Sequence, residues 1–581
     1  MKNLLSIKPY VLKYKRRYIF GIICLLIVDM LQLIMPKLLG AITDKLKSGT
    51  LDKNSLVYSL ILIIAISIMI LLGRYIWRTY IIGSSRMVEY DLRNDLFSHI
   101  QKLSANYFNN HKVGDLMAHA TNDVNAIRMA IGQGVTMSID SAVLTLFSIS
   151  ILLATNVKLA ALSLIPLPFL ALTTSKFGRL IHKRFTTVQE AFSDLTDNVQ
   201  ENFSGIRVIK SFVQEEPEIQ KFTGINKCNM DANIKLVKIS SLFFPLIQLI
   251  AAISFIIVLG YGGSLVIYGD ISLGDFVAFI MYLGNLSWPV MAIGWVINIL
   301  QRGEASMERV QEILDEKPEI YDRPCARNIK AINGKIEFRN LSFTYPGSNK
   351  PALKDINLVI EPGMTLGILG RTGAGKTTLM NLLVRMYNVD NGTILIDGND
   401  INSITLSTLR KNIGYVPQDN FLFSTSIKEN IGFAIDNPNM KDIEKCAEFA
   451  KVYDNIMDFP EKFETVIGER GTTLSGGQKQ RISIARALIK NPSILILDDS
   501  LSAVDTKTEE DILMNLKNIT SNRTSLIISH RISSIKDADE IIVMDDGCIV
   551  EKGTHEELLK LDGLYRNIYD KQLLEEKIES E

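Results

Sequence analysis

Six stretches of this chain are too long and too apolar to sit in water, and they dictate what it folds into. The first, Tyr18 to Leu39, reads YIFGIICLLIVDMLQLIMPKLL. At 1.5 Å per helical residue it can cross a hydrocarbon layer about 30 Å thick. Comparable runs lie near Ser55 to Ile76, Thr136 to Ala154, Leu159 to Phe177, Leu242 to Val266 and Phe276 to Leu300. Backbone groups in lipid must bond within their own segment, so each run is predicted to be a spanning helix. Only Thr155 to Lys158 separates the third run from the fourth, which makes them a tight antiparallel pair. A secretory signal is a poor reading of the first run, because no small-residue cleavage site follows it and five more runs do.

The flanks set the orientation. Lys8, Lys13, Lys15, Arg16 and Arg17 precede the first span, and excess positive charge marks the cytoplasmic side. Six crossings bring the chain back to that side, so everything after about Glu304 is expected in the cytoplasm. Two polar inserts, roughly 78–135 and 178–241, lie on the same side. Met87, Tyr90, Leu92, Leu96 and Ile100 in the first, and Val199, Phe203, Ile206, Ile209 and Phe212 in the second, carry helical apolar spacing. Two helices of about 25 residues in each would project about 35 to 40 Å below the membrane. Autonomous soluble inserts are the alternative, but neither shows the strand or turn signals that would close a core of its own.

Charge excludes some functions. With 63 basic residues against 63 acidic ones and no basic stripe, nothing calls for a nucleic-acid partner. The five cysteines, Cys24, Cys228, Cys325, Cys446 and Cys548, show no CxxC spacing and read as ordinary thiols rather than metal or redox groups.

Past Glu304 the pattern changes to alternating strands and helices, with buried-strand runs such as TLGILG and SILILDD. The expected organisation is a membrane domain over 1–305, a linker over 306–332, an α/β domain over 333–570 and a solvated charged tail over 571–581. After TLGILG come Gly370, Arg371, Thr372, Gly373, Ala374, Gly375, Lys376, Thr377 and Thr378, a GxxxxGK[ST] motif between strand and helix. Glycines there let backbone N–H groups curl round phosphate oxygens, Lys376 brings charge to the terminal phosphates, and Thr377 offers a hydroxyl to Mg²⁺. Asp498, ending a second apolar strand, is the carboxylate expected beside that ion. Leu474, Ser475, Gly476, Gly477 and Gln478 open another helix, and a Ser-Gly-Gly helix start is a second anion site. A domain that already holds its own nucleotide has a phosphate binder to spare, which points to a second nucleotide shared with another chain.

Together these residues resemble the ABC transporter family, over nearly the whole chain: an exporter-type half-transporter, six-span α-helical membrane domain followed by an α/β P-loop nucleotide-binding domain. The resemblance is closest to bacterial heterodimeric multidrug ABC exporters. It implies that Tyr345 in FTYPG stacks on adenine, that Gln418 in YVPQD reaches Mg²⁺ or water, and that Glu469 in GERG belongs to the exporter loop before the signature. It makes LSGGQ the signature offered to a partner's ATP, Ser502, Ala503 and Asp505 part of the D-loop, and His530 the switch histidine that holds a γ-phosphate oxygen. The segments 122–126 and 205–212 resemble the family's coupling elements, with helix packing as the alternative. ATP and Mg²⁺ are the implied cofactors. The implied partners are a second half-transporter, with a homodimer left open, membrane lipid and a small amphipathic or drug-like substrate, in the cell membrane.

One position departs from the family. Asp499 follows the strand-terminal Asp498 where a Glu usually positions the attacking water. A carboxylate one methylene shorter, displaced by about 1 Å, can lower the rate about 10²-fold. Slow hydrolysis at this chain's own cavity, with Asp499, His530 and Gln418 as its catalytic candidates, is therefore expected beside an intact signature serving a partner. Cargo is marked only by Asp29 and Asp140, ionisable groups inside spans, and by aromatics such as Tyr282 and Trp288, for which interfacial packing is an equal reading. A lipid or peptide exporter, a nucleotide-gated sensor or channel subunit and a soluble ATPase are the alternatives; six spans argue against the last.

Overall fold

The computed structural model describes residues 3–329, 331–468, 471, 474–520 and 523–580. Two compact units emerge, Met1–Gln101 with Val113–Glu316, and Lys102–Lys112 with Lys317–Glu581.

The first unit is helical. Its long helices are α1 (Lys15–Lys47) and α2 (Lys53–Ile100), then, beyond a short α3 (Ala105–Asn110) of the other unit, α4 (Val113–Thr155) and α5 (Val157–Ser204). A short α6 (Ile206–Ser211), α7 (Glu215–Tyr268) and α8 (Leu273–Asp315) complete it. Among the described residues six helices are long and apolar enough to cross a membrane, matching the six predicted spans. The tight pair is realised with one linking residue: Asn156 is extended, and its side chain accepts from Leu159 N to start α5. Asp52 and Ser272 cap α2 and α8 in the same way. Ile61, Leu71, Phe169 and Ile256 are exposed, as side chains bathed in lipid would be. Where helices meet, small residues allow close approach: a Cβ on Gly274 would lie 2.1 Å from the Gly40 carbonyl oxygen.

The polar inserts are not separate hairpins but continuations of the spans. α2 runs on from its apolar half to Ile100, and α5 and α7 pack along each other. The 122–126 segment lies within α4 and is not at a tip. Asp123 is buried there because it accepts from Ser306 Oγ (2.8 Å) and Arg309 Nε (3.0 Å) of α8 and pairs with His119 Nδ1 (2.7 Å). The short helix between α2 and α4 is instead α3, which packs within the second unit: Asn109 Nδ2 donates to Tyr387 Oη (2.9 Å) and Ser104 Oγ to Glu319 (2.8 Å). In the second insert α6 occupies the 205–212 segment, with Val208 and Phe212 exposed. Removing the guanidinium by Arg309→Ala should destabilise the first unit by about 1–2 kcal/mol, since buried Asp123 keeps only Ser306 and His119. A thermal midpoint equal to the wild type's would count against that.

α8 continues to Asp315, ten or so residues into the expected linker, because Met307, Val310 and Ile313 extend its buried face. Two sheets form the second unit. One has the order β2-β1-β4-β5, from β1 (Ile336–Phe343), β2 (Leu353–Ile360), β4 (Ile394–Ile396) and β5 (Asn399–Asp400). The other has the order β10-β9-β3-β8-β7-β6, from β3 (Thr365–Gly370), β6 (Ile413–Val416), β7 (Ile494–Asp498), β8 (Thr524–Ile528), β9 (Glu540–Asp545) and β10 (Cys548–Gly553). Strands β6, β7, β8, β3 and β9 run parallel, and β10 is antiparallel at one edge. Every residue of β7 and β8 is buried, as continuous apolar runs in a covered parallel sheet require. The helices that matter below are α9 (Lys376–Leu383), α10 (Gly476–Leu488), α11 (Thr506–Thr520) and α12 (Leu564–Ser580). The last runs on through the expected charged tail: 571–580 is helical, with Lys571, Leu574, Glu575 and Ile578 exposed.

Candidate functional site

Ligands bind an open parallel sheet at the carboxyl ends of its strands. Here β3 ends at Gly370, β7 at Asp498 and β8 just before His530, and β8 lies between the other two. A cavity of about 300 Å³ opens there, walled by Tyr345, Ala352, Thr372 to Thr378, Gln418, Asp498, Asp499, Ile528 and His530. The structure thus brings together the candidates from every strand end and leaves Gly370 and Arg371 behind the wall. Those two act through their carbonyls, which accept from Lys376 Nζ at 2.8 and 3.0 Å.

The loop around the cavity is held open by backbone geometry. Gly373 and Gly375 have φ of +84° and +96°. A Cβ at Gly375 would lie 2.7 Å from the Ala352 carbonyl oxygen and 2.8 Å from Leu353 Cδ2. α9 begins directly after, so its unpaired N–H groups open onto the cavity. Burial pushes the Lys376 ammonium below its ordinary pKa, against the pull of Asp498 and Asp499. Burial likewise pushes the Asp498 carboxyl up, against its hydrogen bond from Thr377, while Asp499 adds to the rise. Polyphosphate beside Lys376 and a cation beside Asp498 would each restore the charged form.

Residues able to meet Mg²⁺ fit that ion. Thr377 Oγ1 donates to Asp498 Oδ1 at 3.2 Å, and the buried Asp498 Oδ2 has no hydrogen-bond partner. One hydroxyl and one free carboxylate oxygen make a partial shell of the kind Mg²⁺ completes with phosphate and water. Tyr345 is half-buried and donates or accepts at Thr378 Oγ1 (2.9 Å), its ring edge-on to Phe343 and Tyr387.

The LSGGQ segment is elsewhere on the same unit. Ser475 caps α10, accepting from Gln478 N while Gln478 Oε1 accepts from Ser475 N (2.9 Å). Ser475 and Gly476 are exposed, and none of Leu474 to Gln478 lines the cavity. A Cβ on Gly477 would lie 2.8 Å from the Ala503 carbonyl oxygen. Asp505 accepts from Thr508 N at the start of α11. Glu469 lies outside the described residues.

Sequence reasoning missed two glutamines. Gln480 bridges α10 to the loop that follows β7: its Oε1 accepts from Ala503 N (3.0 Å) and its Nε2 donates to Ser502 Oγ (3.2 Å), which in turn donates to the Asp499 carbonyl (3.0 Å). Gln572 of α12 clamps the backbone around His530, donating to the His530 carbonyl (2.6 Å) and accepting from Ile532 N (2.9 Å). Position just after LSGGQ could have drawn attention to the first. Nothing local marks the second.

Of the cargo candidates in the first unit, Asp29, Asp140 and Trp288 line one cavity. Tyr282 is not among them. It is buried, and its hydroxyl donates to the Leu33 carbonyl (2.5 Å), tying α8 to α1.

Comparison with known proteins agrees with this architecture. Residues 18–290 match the ABC transporter transmembrane region and residues 353–502 the ABC transporter domain. The chain is 40% identical over 565 residues to the probable multidrug resistance ABC transporter ATP-binding/permease protein YheI of Bacillus subtilis, covering 97% of this chain and 96% of that one. It is 36% identical over 567 residues to an ATP-dependent lipid A-core flippase of Syntrophus aciditrophicus, covering 97% and 94%. A bacterial Atm1-family ABC exporter with ATP bound superposes with a TM-score of 0.78 at 27% identity, over 96% of this chain and 98% of that one. Six membrane helices, a phosphate cavity at the sheet's carboxyl edge and these relatives lead to one conclusion: the chain belongs to the ABC transporter family, a multi-pass inner-membrane exporter whose cytoplasmic domain binds nucleotide and couples ATP hydrolysis to transport.

Proposed function

We propose that this chain is one half of an asymmetric heterodimeric exporter of amphipathic organic compounds, holding ATP and Mg²⁺ at a slow site of its own while its signature completes a faster site on the partner. The observation that carries the reading is the separation within one polypeptide of two phosphate binders. The cavity contains Asp499 in place of Glu, and the complete LSGGQ helix start lies outside it, exposed. In a head-to-tail pair each belongs to a different nucleotide. Lys376 and the α9 N-terminus hold the phosphates, Thr377 and Asp498 hold Mg²⁺ with Gln418 beside them, and Tyr345 offers a ring to the base. His530 orients the γ-phosphate and attacking water. Mg²⁺ supplies charge neutralisation of the transferring phosphoryl group. Closure of the pair around nucleotide is favoured by as much as ATP binds closed better than open, which is what drives the membrane helices.

The test substitutes each carboxylate in the assembled pair. Glu→Gln in the partner should abolish turnover, while Asp499→Asn should leave most of it. Equal loss from both defeats the asymmetry. A lipid cargo is the second reading, favoured by the flippase relative. ATP-driven uptake into inside-out vesicles separates them: accumulation of a soluble amphipathic dye supports the first reading, and movement of labelled lipid alone supports the second.

Gln572 is proposed as a positioning residue for His530. In an Asp499→Glu background, Gln572→Ala should lower turnover about tenfold, the equivalent of one well-made hydrogen bond, with ATP affinity unchanged. Adding it to His530→Ala should change nothing further, and additive losses would show that the clamp merely supports the fold.

A further inference from the structure

We propose that the cavity between α1, α2, α4 and α8 is an organic-ammonium site, with Asp29 and Asp140 as the paired acids that receive the charge. This rests on the exporter reading and names the chemistry by which cargo is recognised. Asp29 is fully buried, and neither of its carboxylate oxygens meets a donor. A second carboxyl, that of Asp140, lines the same cavity. A buried carboxylate without a donor in a membrane interior is costly unless something positively charged or protic lies beside it. The cavity they line has a volume of about 300 Å³, room for a compact amphipathic guest.

Two guanidinium groups line the same space, yet among the described residues neither forms an ion pair with either acid. Arg78 lies over the face of Trp77, 5.4 Å from the ring centre, and Arg74 is exposed. The acids are therefore left for a guest. A separate observation marks the cavity as a polar receptor rather than a packing gap: the buried Trp77 Nε1 also has no hydrogen-bond partner. Trp77 and Trp288 supply apolar faces beside the acids, so an ammonium on a hydrophobic body finds a charge partner and a wall together. A neutral or anionic amphiphile would leave Asp29 as it is.

Two of the chain's three tryptophans line the cavity, so intrinsic emission reports binding without any transport. The purified full chain in lipid nanodiscs is titrated with octylamine, and with octanol as the uncharged probe of the same length. Octylamine should change the emission saturably, and both Asp29→Asn and Asp140→Asn should weaken its binding about tenfold or more, with the octanol response the same in all three proteins. Octylamine curves within twofold of wild type in both variants would overturn the proposal. So would an emission change with pH that octylamine leaves untouched, since the acids would then hold only a proton. An octanol response equal to the wild type's shows that the membrane unit of each variant is folded. Octylamine binding unchanged in both variants, with dye transport intact, refutes this site and spares the exporter reading. Amine binding without ATP-driven transport does the reverse.

Discussion

Restoring a glutamate at position 499 is expected to raise ATP turnover at this chain's own cavity about 10²-fold. The assay uses an assembled exporter whose partner carries Glu→Gln, so that hydrolysis depends on the cavity walled by Asp498, Asp499 and His530. Asp499 is held in a left-handed backbone conformation, φ +46°, with its N–H donated to the Ile528 carbonyl at 3.0 Å. Its Cα is therefore fixed by β8, and the side chain alone determines how far the carboxylate reaches. One methylene is then a displacement of about 1 Å at the water, which the backbone is not free to absorb. A rate change under threefold would mean that Asp499 already positions water well, and the asymmetry would have no chemical basis.

Gly375→Ala is expected to weaken ATP binding about 10²-fold or more, whereas Gly373→Ala should weaken it about tenfold. Both positions have positive φ, which disfavours any side chain by about 1–2 kcal/mol. They differ in space. Nothing lies within 4 Å of a Cβ at Gly373, while at Gly375 the Ala352 carbonyl and Leu353 side chain would be overlapped. The carbonyl belongs to backbone leading into β2 and does not yield cheaply, so the loop must shift and its N–H groups lose aim at the phosphates. Titration of the purified chain with a fluorescent ATP analogue reads both values, and equal losses would locate the effect in backbone strain alone.

What could be read in advance followed locality. The six spans, the strand before the phosphate loop and the Ser-Gly-Gly helix start are each written in a short run of neighbouring residues, and each is found, although the span helices run on well beyond their apolar stretches. Contacts joining distant segments were not legible. Segment 122–126 read either as a coupling element or as packed helix, and its place within α4, with Asp123 buried against Ser306 and Arg309, rests on residues 183 and 186 positions away. Tyr282 read as a cargo aromatic because nothing nearby shows that Leu33 accepts its hydroxyl. Residues 571–580 read as a solvated charged end, and Leu574, Glu575 and Ile578 are exposed; what the charge did not show is that Leu564–Ser580 forms one helix whose Gln572 meets the backbone beside His530.

The bridge made by Gln480 has an implication for timing. From the helix that opens with LSGGQ, polar contacts pass through Gln480 to Ser502 and on to the Asp499 carbonyl. In the proposed asymmetric pair, a phosphate seated against that helix would pull on a lever whose far end is the loop at Asp499. On that proposal, occupancy of one pocket would be felt in the other before any bond is cut, and a subunit that hydrolyses slowly would still set the moment at which its neighbour fires.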